Sequence, residues 1–343
     1  MALRAHARGG PEQLVYEPAP VPVPAPGEAL VAVHAAAITF AELSWDLSWT
    51  TRDGRDRTPV IPSHELSGTV AALGLAAGGD GAVGDRAAGD NAAGDRAAGD
   101  RAVGPAVGDE VYGLVEFDRD GAAAGYVTLP AAHLAARPRS VSHAETATLP
   151  LAALTAWQAL TDYAALEPGE RVLVQGGAGG VGGYAVQLAA ILGGTVTATG
   201  SARHRDLVQS LGAATFVASG AGGAAVYGAA APPEYDVVID TVGGDVLEAS
   251  YAVTRPGGRL VTLSAPPSAQ KAADRGVHAM FFVVTPDAAE LASLAALVDE
   301  GRLRTVVSQT FPLADGRKAF ESATRPHPPG KTVLLVRLNL RRV

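Results

Sequence analysis

The sequence predicts an α/β protein in which a doubly wound parallel sheet is joined to an all-β region, and three observations carry that reading. From about residue 140, apolar β-branched runs alternate with helical stretches, the texture of buried parallel strands separated by amphipathic helices. Before residue 140 the chain reads instead as short strands broken by Pro and Gly. Between these regions and the remaining strands stands VLVQGGAGGVGGYAVQLA, a glycine turn set directly between a strand and a helix.

The β-region opens with a Pro-rich lead-in over residues 18–26 and continues through ALVAVHAAAI, LSGTVAAL, DEVYGLV and AGYVTLP, four predicted strands. Five pentapeptides, GDGAV, GDRAA, GDNAA, GDRAA and GDRAV, interrupt it over residues 79–103. Gly-Asp at every fifth position marks turns with too few apolar residues for a core. Aspartate would suit calcium, but the interleaved Arg opposes a cation, and a surface loop over residues 79–104 is the expectation.

SHAETATLPLAALTAWQALTD then has helical periodicity. After it VLVQG, TVTATG, TFVAS, YDVVIDTVG, RLVTLS and AMFFVV predict parallel strands, with helices at YAVQLAAIL and HRDLVQSLG. The last fifty residues offer a helix at AAELASLAALVDEG, a strand at VVSQTF, a helix at ADGRKAFESA and a strand at KTVLLVRL. That final strand is expected to rejoin the N-terminal β-region.

Composition narrows the function. At 343 residues the chain is long enough for two domains. A formal net charge of −8 argues against nucleic acid, which demands a basic face. Basic residues are scattered apart from RHR at 203–205 and a short tail at 341–342. No apolar run is long enough to span a bilayer, and the N-terminal MALRAHARGG lacks the apolar stretch of a signal peptide. The expectation is a cytoplasmic protein that neither crosses nor binds membranes. The absence of cysteine removes disulfides, thiolate nucleophiles, iron–sulfur clusters and cysteine-based zinc sites together.

The glycine turn predicts a dinucleotide site. Gly177-x-Gly179-x-x-Gly182, with Gly180 and Val181 inside it, follows a strand and opens a helix. The first Gly permits the tight turn, the second lets backbone approach a pyrophosphate and the third packs helix on strand. Helix N–H groups then face the anion. The next strand, TVTATGSARHR, lacks the carboxylate that an NAD site places on the ribose hydroxyls. Ser201, Arg203 and Arg205 stand there instead, and hydroxyl and guanidinium groups hold a 2′-phosphate. NADPH is therefore the expected cofactor, although a solvated helix start is the plainer role for the two Arg.

The motifs PGEALVAVHAAAIT, PSHELSGTV, VGDEVYG, LPLAALTAWQAL, QGGAGGVG, DTVGG, RPGGRLVTLS and PGKTVLLV together resemble the medium-chain dehydrogenase/reductase superfamily, in particular its zinc-free quinone oxidoreductase branch. The resemblance runs from about residue 2 to 336 and is interrupted only by the repeat. ITFAELSW, FDRDGAAAGYV, LSAPP and FFVV look most like the enoyl reductases of aromatic-polyketide pathways. The resemblance implies a Rossmann-type NADPH-binding domain over 129–285 and a GroES-like β-barrel catalytic domain over 1–128 and 286–343. It also implies a homodimer paired through the FFVV edge.

In zinc-containing relatives the histidine matching His64 is a metal ligand. It is joined there by a cysteine in the segment that here reads HAAAITFAEL and by a third ligand in LPLAALTAW. This chain offers only Glu42 in those segments. A catalytic zinc takes three protein ligands, so His64 and Glu65 are expected to make structural hydrogen bonds and no metal is expected. Without a Lewis acid, alcohol oxidation loses its electrophile. Hydride can still pass to an alkene conjugated with a carbonyl, or to a quinone, because the acceptor delocalises the charge.

By resemblance, Thr39 and Thr155 lie near the nicotinamide. Thr241, Val242, Ser264 and Ala265 border the ribose and ring, Phe281 and Phe282 pack against the cofactor, and Lys331 reaches the phosphate side. The tyrosine that many relatives place near Trp45 and Trp49 is missing, so the proton donor is unassigned. The two Trp form either a face for a flat, hydrophobic, aromatic small molecule or a packed helical pair. A zinc-free alcohol or carbonyl reductase and a non-catalytic NADPH-binding protein are the alternative functions.

Overall fold

The computed structural model describes residues 1–74, 104–219, 234–324 and 328–337. The pentapeptide repeat at 79–103 and the basic tail at 341–342 lie outside the described residues.

Among the described residues six strands form a parallel sheet in the spatial order Thr215–Ala218, Thr195–Gly200, Arg171–Gln175, Tyr235–Asp240, Thr254–Thr262 and His278–Phe281. The chain therefore runs outward from Arg171–Gln175, returns to its other side at Tyr235–Asp240, and leaves a switch point between those two strands. A crevice opens at such a point beyond the carboxyl ends of the strands. Val172, Leu173, Val174, Val237, Val238 and Ile239 are all fully buried, which explains why these strands read as continuous apolar runs.

Among the described residues the second sheet has seven strands. Its backbone is Glu28–Ile38, whose residues 29–37 pair with Glu65–Leu73. Residues 28–32 pair with Tyr126–Pro130, and residues 35–38 pair with Lys331–Leu335. The C-terminal strand thus returns to the N-terminal sheet as expected and adds Val307–Pro312 as a parallel neighbour. A short hairpin of Ala2–Ala5 and Leu14–Glu17 stands apart; the sequence reading missed it.

Two elements lie across the expected domain boundaries. Position 128 falls inside strand Tyr126–Pro130, and Leu134–Ala136 also joins the N-terminal sheet by pairing with Glu110–Leu114. At the other boundary, helix Ala288–Asp299 buries Leu291, Leu294, Ala295 and Val298 in the core shared with the parallel sheet and helix Ala152–Gln158. Tyr112, Leu114 and Ala135 of the β-region share that core, and Tyr112 Oη donates to the Leu291 carbonyl, so the helix packs between the two parts.

Candidate active site

A cleft of about 600 Å³ opens at the switch point, within the size range of small-molecule sites. Three parts of the chain build it. The glycine turn and Thr241 come from the parallel sheet, Thr39, Phe40, Trp45 and Phe117 from the β-region, and Gly330, Lys331 and Thr332 from the returning strand. Phe281 and Phe282, with Leu151, Thr155, Leu263 and Ser264, close the remaining wall.

The turn uses its glycines differently from the sequence expectation. The left-handed residue is Gly176, at φ 79°, not Gly177. Gly177 is the packing position, where an added Cβ would press Ala198 at 2.9 Å. At Gly182 an added Cβ would overlap the carbonyl oxygen of Gly176, so this residue holds the helix against the turn. Helix Gly180–Ile191 begins there, and the N–H groups of a first helical turn lack intrahelical partners. These residues suit an anionic pyrophosphate.

Of the residues singled out in the sequence, Thr39, Trp45, Thr155, Gly179, Gly180, Val181, Thr241, Ser264, Phe281, Phe282 and Lys331 line the cleft. Gly177 and Gly182 lie behind its wall, and Val242 and Ala265 are not among its lining residues. Ser201, Arg203 and Arg205 stand outside it, exposed at the end of Thr195–Gly200. Arg205 is engaged, stacking over Phe216 at 4.9 Å, while Arg203 Nε contacts His204 Nε2 at 3.1 Å.

The Trp pair is split. Trp45 caps the short helix Asp46–Trp49 and meets Phe117 edge-on at 5.4 Å. Trp49 is 1% exposed and its Nε1 donates to the Leu43 carbonyl at 2.8 Å. The helix begins only after Trp45, so the two rings never share a face, and Trp49 is core rather than substrate wall. Phe40 and Phe117 line the cleft beside Trp45, and no periodicity in the sequence pointed to either.

Lys331 departs furthest from expectation. Its stem lies against Gly180, and its ammonium pairs with buried Glu65 and donates to Thr39 Oγ1 at 3.0 Å. The cause is Glu65, which is 1% exposed and whose second oxygen accepts the Leu151 N–H at 3.1 Å. A buried carboxylate needs a counter-charge. Burial raises the Glu65 carboxyl, and the Lys331 charge opposes that rise.

His64 and Glu42 are 3.9 Å apart and both buried, with His64 edge-on to the cleft-lining Phe117. Glu42 accepts from Ser63 N at 2.8 Å and from Thr39 N at 3.3 Å. Ser63 sits in the left-handed region at φ 72°, held there also by its own hydroxyl donating to the Ala37 carbonyl. Burial pushes the Glu42 carboxyl up to about 8 and the His64 imidazole down to about 4. A depressed imidazole makes stability rise with pH from about 4 to its ordinary 6.5; a raised carboxyl makes it fall from its ordinary 4.5 to about 8. The slopes oppose each other below pH 6.5, and of these two groups only Glu42 titrates above it. Stability should therefore decline by about 2 kcal/mol between pH 6.5 and 8. Glu42→Gln should remove the decline, as urea unfolding at both ends of the window will read.

Among the described residues no three His, Cys, Asp or Glu side chains converge as a metal site. His64 and Glu42 fall short of the three ligands that a catalytic zinc takes, and the Lys331 ammonium occupies Glu65.

Two families match the chain. "Alcohol dehydrogenase GroES-like domain" covers residues 25–139, and "Zinc-binding dehydrogenase" covers residues 211–334. The quinone oxidoreductase from Coxiella burnetii has the same fold, with a TM-score of 0.81 and 28% identity over 98% of this chain and 99% of that one. The chain belongs to the medium-chain dehydrogenase/reductase superfamily. The seven-stranded sheet is the GroES-like part of this superfamily's architecture and the parallel sheet its Rossmann-like part.

Other medium-chain relatives differ in context. The mitochondrial NAD(P)H oxidoreductase of Homo sapiens is 30% identical over 67% of this chain and 65% of its own. The spectinabilin polyketide synthase system protein NorB of Streptomyces orinoci is 32% identical over 96% of this chain, which spans 14% of that protein. The chain is an oxidoreductase of the medium-chain type, in an NAD(P)H-dependent family. The family description names zinc, whereas the donor set around His64 does not fit one. Among the described residues no helix is long and apolar enough to cross a membrane.

Proposed function

We propose that the protein is an NADPH-dependent, metal-free reductase of a carbon–carbon double bond conjugated with a carbonyl, or of a quinone. One observation carries this reading: segments that hold a metal in zinc-containing relatives here surround the ammonium of Lys331, beside a cleft walled by aromatic rings. A bound nicotinamide dinucleotide would supply the hydride. Gly176, Gly179 and Gly180 would receive its pyrophosphate, and Thr241, Ser264 and Thr155 would flank the ribose and ring.

The apolar walls would then exclude water and hold a flat acceptor in place. Phe40, Trp45, Phe117, Phe281 and Phe282 all contribute to that lining, which favours a hydrophobic, aromatic small molecule of the kind polyketide assembly yields. An acceptor that delocalises negative charge needs no Lewis acid, and orientation in a dry cleft supplies much of the remaining barrier lowering. Strand His278–Phe281 is a sheet edge, with Phe281 36% and Val283 47% exposed. Pairing of two such edges would make the homodimer. We place the enzyme in the cytoplasm and assign it no nucleic-acid or membrane partner.

NADPH should bind about tenfold tighter than NADH or better, because Arg203 follows the strand end where a 2′-phosphate is expected and no carboxylate there repels it. Fluorescence titration of both coenzymes measures this. Arg203→Glu should narrow the gap, and equal affinities in the wild type would refute the pocket assignment.

A further inference from the structure

Three hydroxyls of the cleft have already committed their hydrogens. Thr155 Oγ1 donates to the Leu151 carbonyl at 2.6 Å, and Thr241 Oγ1 to the Gln175 carbonyl at 2.7 Å. Ser264 Oγ shares a contact of 3.2 Å with Thr262 Oγ1. Trp45 carries an indole N–H, which can form a hydrogen bond but does not give up its proton.

Thr39 differs. Its Oγ1 receives a hydrogen from Lys331 Nζ at 3.0 Å, and the direction is fixed because an ammonium has donors and no acceptor. No acceptor among the described residues takes Thr39's own hydroxyl hydrogen, and Thr39 lines the cleft. Lys331 is itself 6% exposed and clasped by Glu65, so its position does not depend on a ligand. A hydroxyl that accepts from a cation is the better donor on its other side.

We propose that Thr39, backed by Lys331, is the proton donor of this cleft. The inference rests on the reductase reading above. When hydride from a reduced nicotinamide forms a bond to the β-carbon of an enone, the alkene π pair moves onto the α-carbon and carbonyl oxygen as an enolate. The Thr39 O–H bond then breaks and its proton goes to the enolate, while a Lys331 N–H breaks to restore the hydroxyl. Lys331 is left as an amine beside Glu65 and regains its proton from water when the cleft opens. Thr39 touches the reacting molecule. Lys331 acts through Thr39 and is a positioning residue.

The test compares an enone with a para-quinone. Hydride transfer to the quinone releases a phenolate that water protonates later, so the ratio of the two kcat values reports proton donation apart from cofactor placement. Thr39→Val keeps the shape and loses the hydroxyl; it should lower the enone-to-quinone ratio about 100-fold. Thr39→Ser should restore the ratio to within about threefold of wild type, as the hydroxyl returns. The double variant Lys331→Met with Glu65→Gln removes both buried charges, so that neither is stranded. It should lower the ratio as well, and adding Thr39→Val to it should cost nothing further, since groups acting as one unit are non-additive. A Thr39→Val enzyme with an unchanged ratio overturns the inference alone. A wild type inert toward every enone overturns the proposed function and takes the inference with it.

Discussion

Lys331→Met should destabilise the protein by about 3–5 kcal/mol at neutral pH, the usual cost of stranding one partner of a buried ion pair. The substitution keeps the apolar stem against Gly180 and removes only the ammonium, so the loss reads the Glu65 carboxylate directly. Burial already raises the Glu65 carboxyl, and Lys331 is the first of the groups that hold it down. With Lys331 gone the folded state would keep a proton that the unfolded state releases above its ordinary value of 4.5. An excess of bound protons in the folded state makes stability fall as pH rises. The deficit should therefore be small in acid and grow toward neutrality, and urea unfolding at pH values on either side will follow it. Adding Glu65→Gln should recover most of the loss, because replacing a whole buried pair is often close to neutral. A single variant as stable as wild type at neutral pH would mean that the pair is not ionised.

Gly182→Val should abolish useful cofactor binding. Its Cβ would overlap the carbonyl oxygen of Gly176 and lie 3.1 Å from Gly177 Cα. These are backbone atoms with no side chain to yield, so the turn itself must shift. A displacement of about 1 Å at a binding loop can cost about 100-fold, and overpacking of this kind costs about 1–3 kcal/mol of stability. The neighbouring Gly183 predicts the reverse. A Cβ there would meet Leu211 Cδ1 at 3.6 Å and the Gly177 oxygen at 3.7 Å, which are ordinary contacts. Gly183→Ala lies inside helix Gly180–Ile191 and should stabilise it by about 0.5–1 kcal/mol. Coenzyme titration with thermal unfolding on both variants tests the contrast, and a Gly182→Val protein that binds NADPH normally would remove the turn from the site.

The parallel sheet was legible because its strands are buried on both faces and therefore read as unbroken apolar runs between helical periods. The glycine turn was legible because its neighbours, a strand and a helix, supplied the context that the motif alone lacks. Local pattern could not say which glycine would turn left-handed, and Gly176 rather than Gly177 does so. It also could not place Leu134–Ala136, three residues too short to alternate. Helix Ala288–Asp299 buries one face, yet periodicity names no partner, and that face joins a core to which both the parallel sheet and the β-region contribute.

The Lys331–Glu65–Thr39 cluster joins the two ends of the chain. Buried charges find one another through topology, and no spacing in the sequence records that. The signal that could have found it was the pairing of the final strand with Glu28–Ile38, whose register sets Lys331 just beyond Ile38 and so beside Thr39.

The most direct test uses chelator-treated enzyme, a conjugated enone and NADPH carrying deuterium at the transferable position of its nicotinamide. The account predicts a saturated ketone with the label on the carbon β to the carbonyl, formed at an undiminished rate. A labelled allylic alcohol, or activity that disappears with the chelator and returns with zinc, would contradict it.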